Sequence, residues 1–463
     1  MNTQNKKTPI TKQRCIDALK NFDEIELGYS VDEVVNEANR CLNCKDKPCV
    51  KNCPIHNDIP NINMLVASMH FEEAYKLLKK TNCMPSICGR ICQQENQCEG
   101  VCIRGLNKQN DPVAIGRIER FVADYCYKNE NLEEPKLNKR KEKVAVIGSG
   151  PAGLAFAYHL AILGYNITIF EKEKEIGGLL YYGIPSFCLP RSKIDFLVNN
   201  LEKLGVSFVL NCQIGKEKTL ESLLNNDGYS SIFIANGANA PRKMGINGED
   251  GIGVLDACDY LKAFNTSSKD KDGIDNFKYK AKNVIIVGGG NVAIDVDRVA
   301  IRLGAKSVVN VYRRSEKEMP ARKEEFQLAK EEGIDFRFLT NPKEIILDKD
   351  KKVIGIKCIK MELGKPDESG RCSPIEILNS EFIIDCDLVI MALGSVSENH
   401  EINSDNKINL DKRGYYIVDK ETYKTNLDKV YAGGDAVLGP STVVEAVRTG
   451  QLAAIAVDKE LNK

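Results

Sequence analysis

The chain has no net charge. Its 65 Lys and Arg are matched by 65 Asp and Glu, so no global basic field draws it to nucleic acid or anionic lipid. Histidine is scarce, 4 in 463 residues. Low-complexity segments are absent, and at 43% apolar and 28% charged residues the composition is that of a folded chain. The opening MNTQNKKTPITKQRC has no apolar core and no small-residue cleavage site, which excludes a secretory signal and makes the reducing cytoplasm the expected compartment. One uncharged run, Val144 to Phe170, is long enough to span a bilayer. Its glycines at 148, 150, 153 and 164 suit a nucleotide-binding turn instead, so no membrane segment is expected. Length alone implies about three domains.

Cysteine is in excess. Of 17, eleven precede residue 140 and nine lie between Cys41 and Cys102. In a reducing compartment such clustering points to metal or redox chemistry. Cys41, Cys44, Cys49 and Cys53 follow one another closely, with Pro54 after the last, which echoes bacterial ferredoxin loops at wider intervals. Structural zinc is the competing reading, but zinc favours two spaced pairs and CxxC occurs once here. A second run supplies Cys88, Cys92, Cys98 and Cys102. Two cubane clusters need about eight ligands, four per cluster, so the count alone would assign both runs and leave Cys83 over as a small buried residue.

KVAVIGSGPAGLAFAYHLAILGYNITIFEKE reads as strand, glycine turn, helix, strand. Gly148, Gly150 and Gly153 allow a tight turn and bring a pyrophosphate to the helix N-terminus, while Glu171 ends the next strand, where a carboxylate accepts from a ribose diol. An unphosphorylated adenosine, as in FAD, is expected. The repeat NVIIVGGGNVAIDVDRVAIRLGAKSVVNVYRR has Gly288, Gly290, Asn291, Val292 and Ala293 at the turn, and its strand ends in Arg313 and Arg314. A guanidinium pair at that position suits a 2′-phosphate, hence NADPH. Near the C-terminus, VYAGGDAVLGPSTVVEAV presents Gly433, Gly434 and Asp435 from a strand, and a helix is expected from about Ser441.

Taken with YRRSEKEMPAR and GGNVAIDVDRVAIRLGA, these motifs resemble the small chain of NADPH-dependent glutamate synthase over essentially the whole chain. The same architecture occurs in the N-terminal part of dihydropyrimidine dehydrogenase and in the large subunit of the bifurcating NADH-dependent ferredoxin:NADP oxidoreductase. The resemblance implies two [4Fe–4S] clusters, one on Cys41, Cys44, Cys49 and Cys102, the other on Cys53, Cys92, Cys98 and Glu119, with Cys88 as a neighbour or substitute. It places Gly178, Gly434, Asp435, Thr442 and Val443 against FAD, and Cys188 as packing near the flavin. No side-chain general acid is expected, because hydride transfer between stacked rings needs positioning above all.

The expected fold is α/β, with two Rossmann-like dinucleotide-binding domains for FAD and NADPH preceded by an α-helical iron–sulfur domain. The expected boundaries are 1–140 for the iron–sulfur domain, 141–280 plus 391–463 for the FAD domain and 281–390 for the NADPH domain. Polar stretches at 131–143 and 264–282 serve as linker and crossing. The resemblance implies an NADPH-dependent oxidoreductase passing electrons between NADP(H), FAD and two clusters and on to a partner subunit. That partner is a glutamate synthase large chain or a ferredoxin-reductase-like small subunit, in a hetero-oligomer. A scaffold that only senses redox state is the remaining alternative.

Overall fold

The computed structural model describes every residue except 1–3, 108, 129–136, 268–273, 368–369, 400–401 and 403–406. The expected linker 131–143 and crossing 264–282 lie partly outside the described residues.

Up to residue 128 the chain forms helices joined by cysteine loops: α1 (Val31–Ala38), α2 (Ile59–Ala67), α3 (Phe71–Lys79), α4 (Pro85–Ile91) and α5 (Ile115–Lys128). Helix α1 starts at a capping box in which the Glu33 carboxylate accepts from the Ser30 N–H at 2.7 Å. Helix α3 buries Phe71, Ala74, Tyr75 and Leu78, a stripe at helical spacing. That stripe enters a hydrophobic core that continues into the next domain through Phe156, Tyr158 and Val447, so the thin cysteine domain borrows its interior from its neighbour. The Lys79 ammonium sits 4.1 Å from the Tyr158 ring centre across that boundary.

A buried ion pair organises the first domain. Glu37 and Arg40 are both 0% exposed, and Arg40 Nη1 donates to Glu37 Oε1 at 2.5 Å. Glu37 also accepts from the backbone N–H groups of Thr8 at 2.7 Å and Ala114 at 2.8 Å. Arg40 donates to the carbonyls of Gln4, Asn5, Asp111 and Pro112. The N-terminal segment, α1 and the approach to α5 are thereby fastened at one point, one residue before Cys41.

The second domain is a parallel sheet of β1 (Lys143–Ile147), β2 (Asn166–Phe170), β3 (Ser207–Val209), β4 (Ser231–Ile234) and, far along the chain, a strand at Val430–Ala432, in the order 430–432, β4, β1, β2, β3. Helix α6 (Pro151–Ala161) crosses from β1 to β2 and stacks Phe156 on Phe233, ring centres 4.3 Å apart. The uncharged run Val144–Phe170 is thus a buried strand–helix–strand unit. Among the described residues no helix is long and apolar enough to cross a membrane.

A short strand, β5 (Ala240–Pro241), leads out of this domain. The third domain's parallel sheet is built from β6 (Val254–Asp256), β7 (Asn283–Val287), β8 (Ser307–Tyr312), β9 (Asp335–Phe338) and a strand at Leu388–Met391 between β6 and β7. It carries α7 (Ala257–Ser267), α8 (Asn291–Arg302) and α9 (Lys323–Glu331). An antiparallel sheet from residues 340 to 385 attaches to it. The chain returns through Ser395–Val396, which pairs antiparallel with β5, so the two interdomain connections form one ribbon.

The expected boundary at 280/281 is therefore corrected. Strand β6 and helix α7 precede it yet belong to the third domain, with Tyr260, Leu261 and Phe264 in that domain's core. The polar stretch from 264 misled because it begins inside α7, and β6 is too short to show an alternating pattern.

Replacing Arg40 by Ala leaves the Glu37 carboxylate buried without its cation. A loss of about 3–5 kcal/mol is expected, readable by chemical denaturation against the native chain.

Candidate functional site

A cleft of about 310 Å³ opens at the carboxyl ends of the first sheet. Gly148, Gly150, Glu171, Gly178, Gly434, Asp435, Thr442 and Val443 all line it. Gly148 has φ +97°, and a Cβ there would lie 2.4 Å from the Ala235 carbonyl, so only glycine makes this turn. A Cβ on Gly150 would meet nothing within 4 Å, leaving the start of α6 open to a ligand. Gly153 does not line the cleft. A Cβ on it would lie 2.1 Å from the Gly148 carbonyl, so its role is close helix–strand approach.

Glu171 is buried and held in place. Its Oε2 accepts from the Ser149 N–H at 2.9 Å and hydroxyl at 2.5 Å, and its Oε1 from the Glu173 N–H at 2.9 Å. The closing helix, α10 (Val443–Leu461), starts two residues later than expected, because Thr442 is its N-cap, with Glu445 completing the box. Burial pushes the Asp435 carboxyl up to about 7, although the Ser441 N–H donates to it at 3.2 Å. Two wall residues were not legible in the sequence. Asp259 and Lys262 reach the cleft from α7 of the third domain, and Lys262 pairs with Glu173 at 2.6 Å. A cradle open at Gly150, with an oriented carboxylate at Glu171, fits an adenine dinucleotide with an unphosphorylated ribose, which these residues would hold.

In the second motif, Gly288 turns the chain at φ +146° and Gly290 again leaves open space before α8. Ala293 is buried, Val292 is exposed, and the Asn291 Oδ1 accepts from the Arg322 N–H at 2.8 Å. The expected arginine pair is split. Arg313 is exposed, but Arg314 is buried, donating to Asp367 at 2.7 Å and to the Cys372 carbonyl at 2.9 Å. Both lie just past the end of β8, in the bend after Tyr312, and only Arg313 is left facing solvent there. Partial burial, with repulsion from Arg314 and then from Arg371, lowers the Arg313 pKa, so Arg371 supplies a second cation near it. It lies too far along the chain for the nucleotide motif to announce it.

Cys188 is also placed differently from the expectation. It is absent from the first cleft and faces the third domain, 3.6 Å from both Asp295 and Glu325. There Arg298, fully buried on α8, pairs with Glu325 and Glu332, the latter at 2.9 Å.

Of the cysteines, Cys41, Cys44, Cys49 and Cys102 line one small cavity with Leu42, Pro60 and Ile103. Burial pushes the Cys49 thiol up to about 11, with Cys41 and Cys102 adding to the effect. Cys53, Cys92 and Cys98 are buried nearby, and Glu119 acts electrostatically on all three. Burial pushes Glu119 up to about 8. Among the described residues no group of three or more His, Cys, Asp or Glu closes around a single metal ion. Four thiols around one cavity are the donor set of a [4Fe–4S] cube, which Cys41, Cys44, Cys49 and Cys102 would hold. Arg448 on α10 donates to the Pro54 carbonyl at 3.0 Å, tying the helix that closes the nucleotide cleft to the Cys53 loop.

Two outcomes are expected. Arg313→Ala raises KM for NADPH about 10-fold or more, in line with a lost charge-assisted hydrogen bond, and leaves NADH use unchanged, whereas Arg314→Ala lowers Tm. Asp435 has a folded pKa raised from 3.8 to about 7, so its ionisation costs the folded state stability as pH rises through that window. In flavin-free protein Asp435→Asn removes this loss, and denaturation at acid and alkaline pH should show it gaining on the order of 2 kcal/mol relative to the native chain.

Residues 18–131 match the family described as dihydropyrimidine dehydrogenase domain II, 4Fe–4S cluster, and residues 142–450 match the pyridine nucleotide-disulphide oxidoreductases. The glutamate synthase [NADPH] small chain of Escherichia coli is 36% identical, covering 94% of this chain and 92% of its own length. The putative oxidoreductase AegA of Escherichia coli and the NADP(+)-dependent formate dehydrogenase subunit beta of Moorella thermoacetica are each 38% identical, and the chain spans 66% and 60% of their lengths. Among solved structures, Mycobacterium tuberculosis FprA in complex with NADPH shares the fold, with a TM-score of 0.57 at 19% identity, covering 70% of this chain and 86% of that one. Carrying both matched parts and aligned along nearly all of the small chain, the protein belongs to the glutamate synthase small-chain family of oxidoreductases, in which an iron–sulfur module precedes a pyridine nucleotide-disulphide oxidoreductase.

Proposed function

We propose that this chain is an NADPH-dependent oxidoreductase subunit that holds FAD in the cleft under α6, NADPH at the second glycine motif and two [4Fe–4S] clusters in the cysteine domain, and that exchanges electrons with a partner protein. The observation that carries the reading is the continuity between the sites. The nucleotide cleft and the cysteine loops share one hydrophobic core, and the Arg448 bond to Pro54 joins their walls. A bound flavin supplies the conversion between a two-electron hydride donor and one-electron carriers.

The chain's own residues bind and orient. Glu171 presents a carboxylate to a ribose, the open N-terminus of α6 receives a pyrophosphate, and Arg313 with Arg371 favours a phosphorylated nucleotide at the second motif. No side chain is assigned as a general acid. The clusters divide by depth: Cys53, Cys92 and Cys98 are buried, while Cys41, Cys44, Cys49 and Cys102 are half-buried, which makes the second set the side from which a partner is reached. Relatives named as a glutamate synthase small chain, a formate dehydrogenase subunit beta and an NADPH-Fe(3+) oxidoreductase subunit beta support a subunit role.

Anaerobic purification followed by flavin, iron and zinc analysis tests the reading. FAD at about one per chain and iron at about eight, as two cubes require, are expected, with NADPH bleaching the flavin absorbance. Zinc in place of iron, or flavin unmoved by NADPH, overturns it. The mass of a copurifying chain identifies the partner.

A further inference from the structure

Two side chains compete to complete the inner cluster. Glu119 and Cys88 both act electrostatically on Cys53 and Cys92. They come from α5 and α4, which cross with almost no room between them: a Cβ on Gly89 would lie 2.6 Å from the Arg120 backbone nitrogen and 2.8 Å from the Gly116 carbonyl. The crossing thus brings the residue before Gly89 and the residue before Arg120 to the same place. Proximity alone leaves the choice between them open.

Asn82 touches both. It is fully buried in the turn between α3 and α4. Its Oδ1 accepts from the Met84 N–H at 3.0 Å, an Asx turn that fixes the carboxamide, since only oxygen can face that donor. Nδ2 must then point the other way, where it donates to Glu119 Oε1 at 2.5 Å. The same Oδ1 receives the Cys88 thiol at 3.6 Å. One rigid amide therefore orients the carboxylate through its donor and retains the thiol through its acceptor.

We propose that Asn82 is a positioning residue that selects Glu119 over Cys88 as the fourth ligand of the cluster held by Cys53, Cys92 and Cys98. The selection rests on the reading that this second cluster exists, and it goes beyond that reading by giving ligand choice to a residue that binds no iron. A carboxylate can reach iron while one of its oxygens still accepts from Nδ2, whereas Cys88 must leave Oδ1 to do so. With Nδ2 gone, the carboxylate loses its orientation, and the softer thiolate, one helical turn before Cys92, takes the position.

The test is low-temperature EPR of the reduced, anaerobically purified full chain, with iron counted per flavin. Asn82→Asp keeps the acceptor for Met84 and removes the donor to Glu119. Asn82→Ser withdraws the donor from Glu119 by shortening the side chain, while its hydroxyl still accepts at the turn, and serves in case the aspartate variant fails to fold. Either is expected to retain its iron and to change the signal and midpoint potential of one cluster, leaving the other untouched. Cys88→Ser in the otherwise native chain is expected to leave both signals unchanged, but in the Asn82→Asp background it should abolish one signal and halve the iron. Unchanged EPR in both Asn82 variants overturns the proposal, as does loss of a signal on Cys88→Ser alone, or loss of the cluster in a folded Asn82 variant that keeps Cys88. A native chain with only one cube's iron fails differently, because it removes the second cluster itself.

Discussion

The Glu37–Arg40 pair is the constraint on which the cysteine domain depends. Loops that present thiolates cannot also present apolar side chains, so their backbone must be held by something other than their own core. Here a carboxylate and a guanidinium on α1 and just after it, both out of water, gather six backbone groups from two other segments of chain. Burying such a pair is costly unless every donor and acceptor is used, and this one uses them on the N-terminal segment and on the stretch that leads to α5. The cavity of Cys41, Cys44, Cys49 and Cys102 lies beside this knot.

The interior of that domain runs on into the second domain, and it meets the third domain through both apolar and ionic contacts: Ala18, Phe22 and Ile25 pack into the core of Tyr260 and Phe264, with the Phe22 and Phe264 ring centres 5.0 Å apart. Arg117 pairs with Glu324, Arg322 reaches the Arg90 carbonyl, and the Lys323 N–H donates to Glu95 at 2.9 Å. Apolar continuity fixes the cysteine loops relative to the first nucleotide cleft, a distance any electron path must keep short. That apolar contact, the ion pairs and the two-stranded ribbon at 240–241 and 395–396 hold the third domain, and α7 carries one wall of the first cleft from it.

Much of this was legible in the sequence because the signals are local. Strand, glycine turn and helix follow one another within thirty residues in both nucleotide units, and Gly148 and Glu171 stand where the motif places them. The split of Arg313 from Arg314 was not legible, since the partner that draws Arg314 inward, Asp367, lies on a distant hairpin. Cys188 belongs to a stretch whose glycine Gly178 lines the first cleft, yet it packs across a domain boundary that no spacing reveals. Strand β6 has three half-buried residues and no alternation, so its membership of the third domain appears only once its neighbour at 388–391 is in place.

By itself the sequence carried two glycine turns between strand and helix, an acidic residue after one and basic residues after the other, and nine cysteines crowded before the first turn. These depend on residue type and near spacing, which the order of residues carries directly. Tertiary structure decided which arginine faces solvent, which four cysteines share a cavity, and that Asn82 stands between Glu119 and Cys88. Those outcomes are set by side-chain direction and by helices crossing at glycine, quantities that exist only when distant segments are packed together.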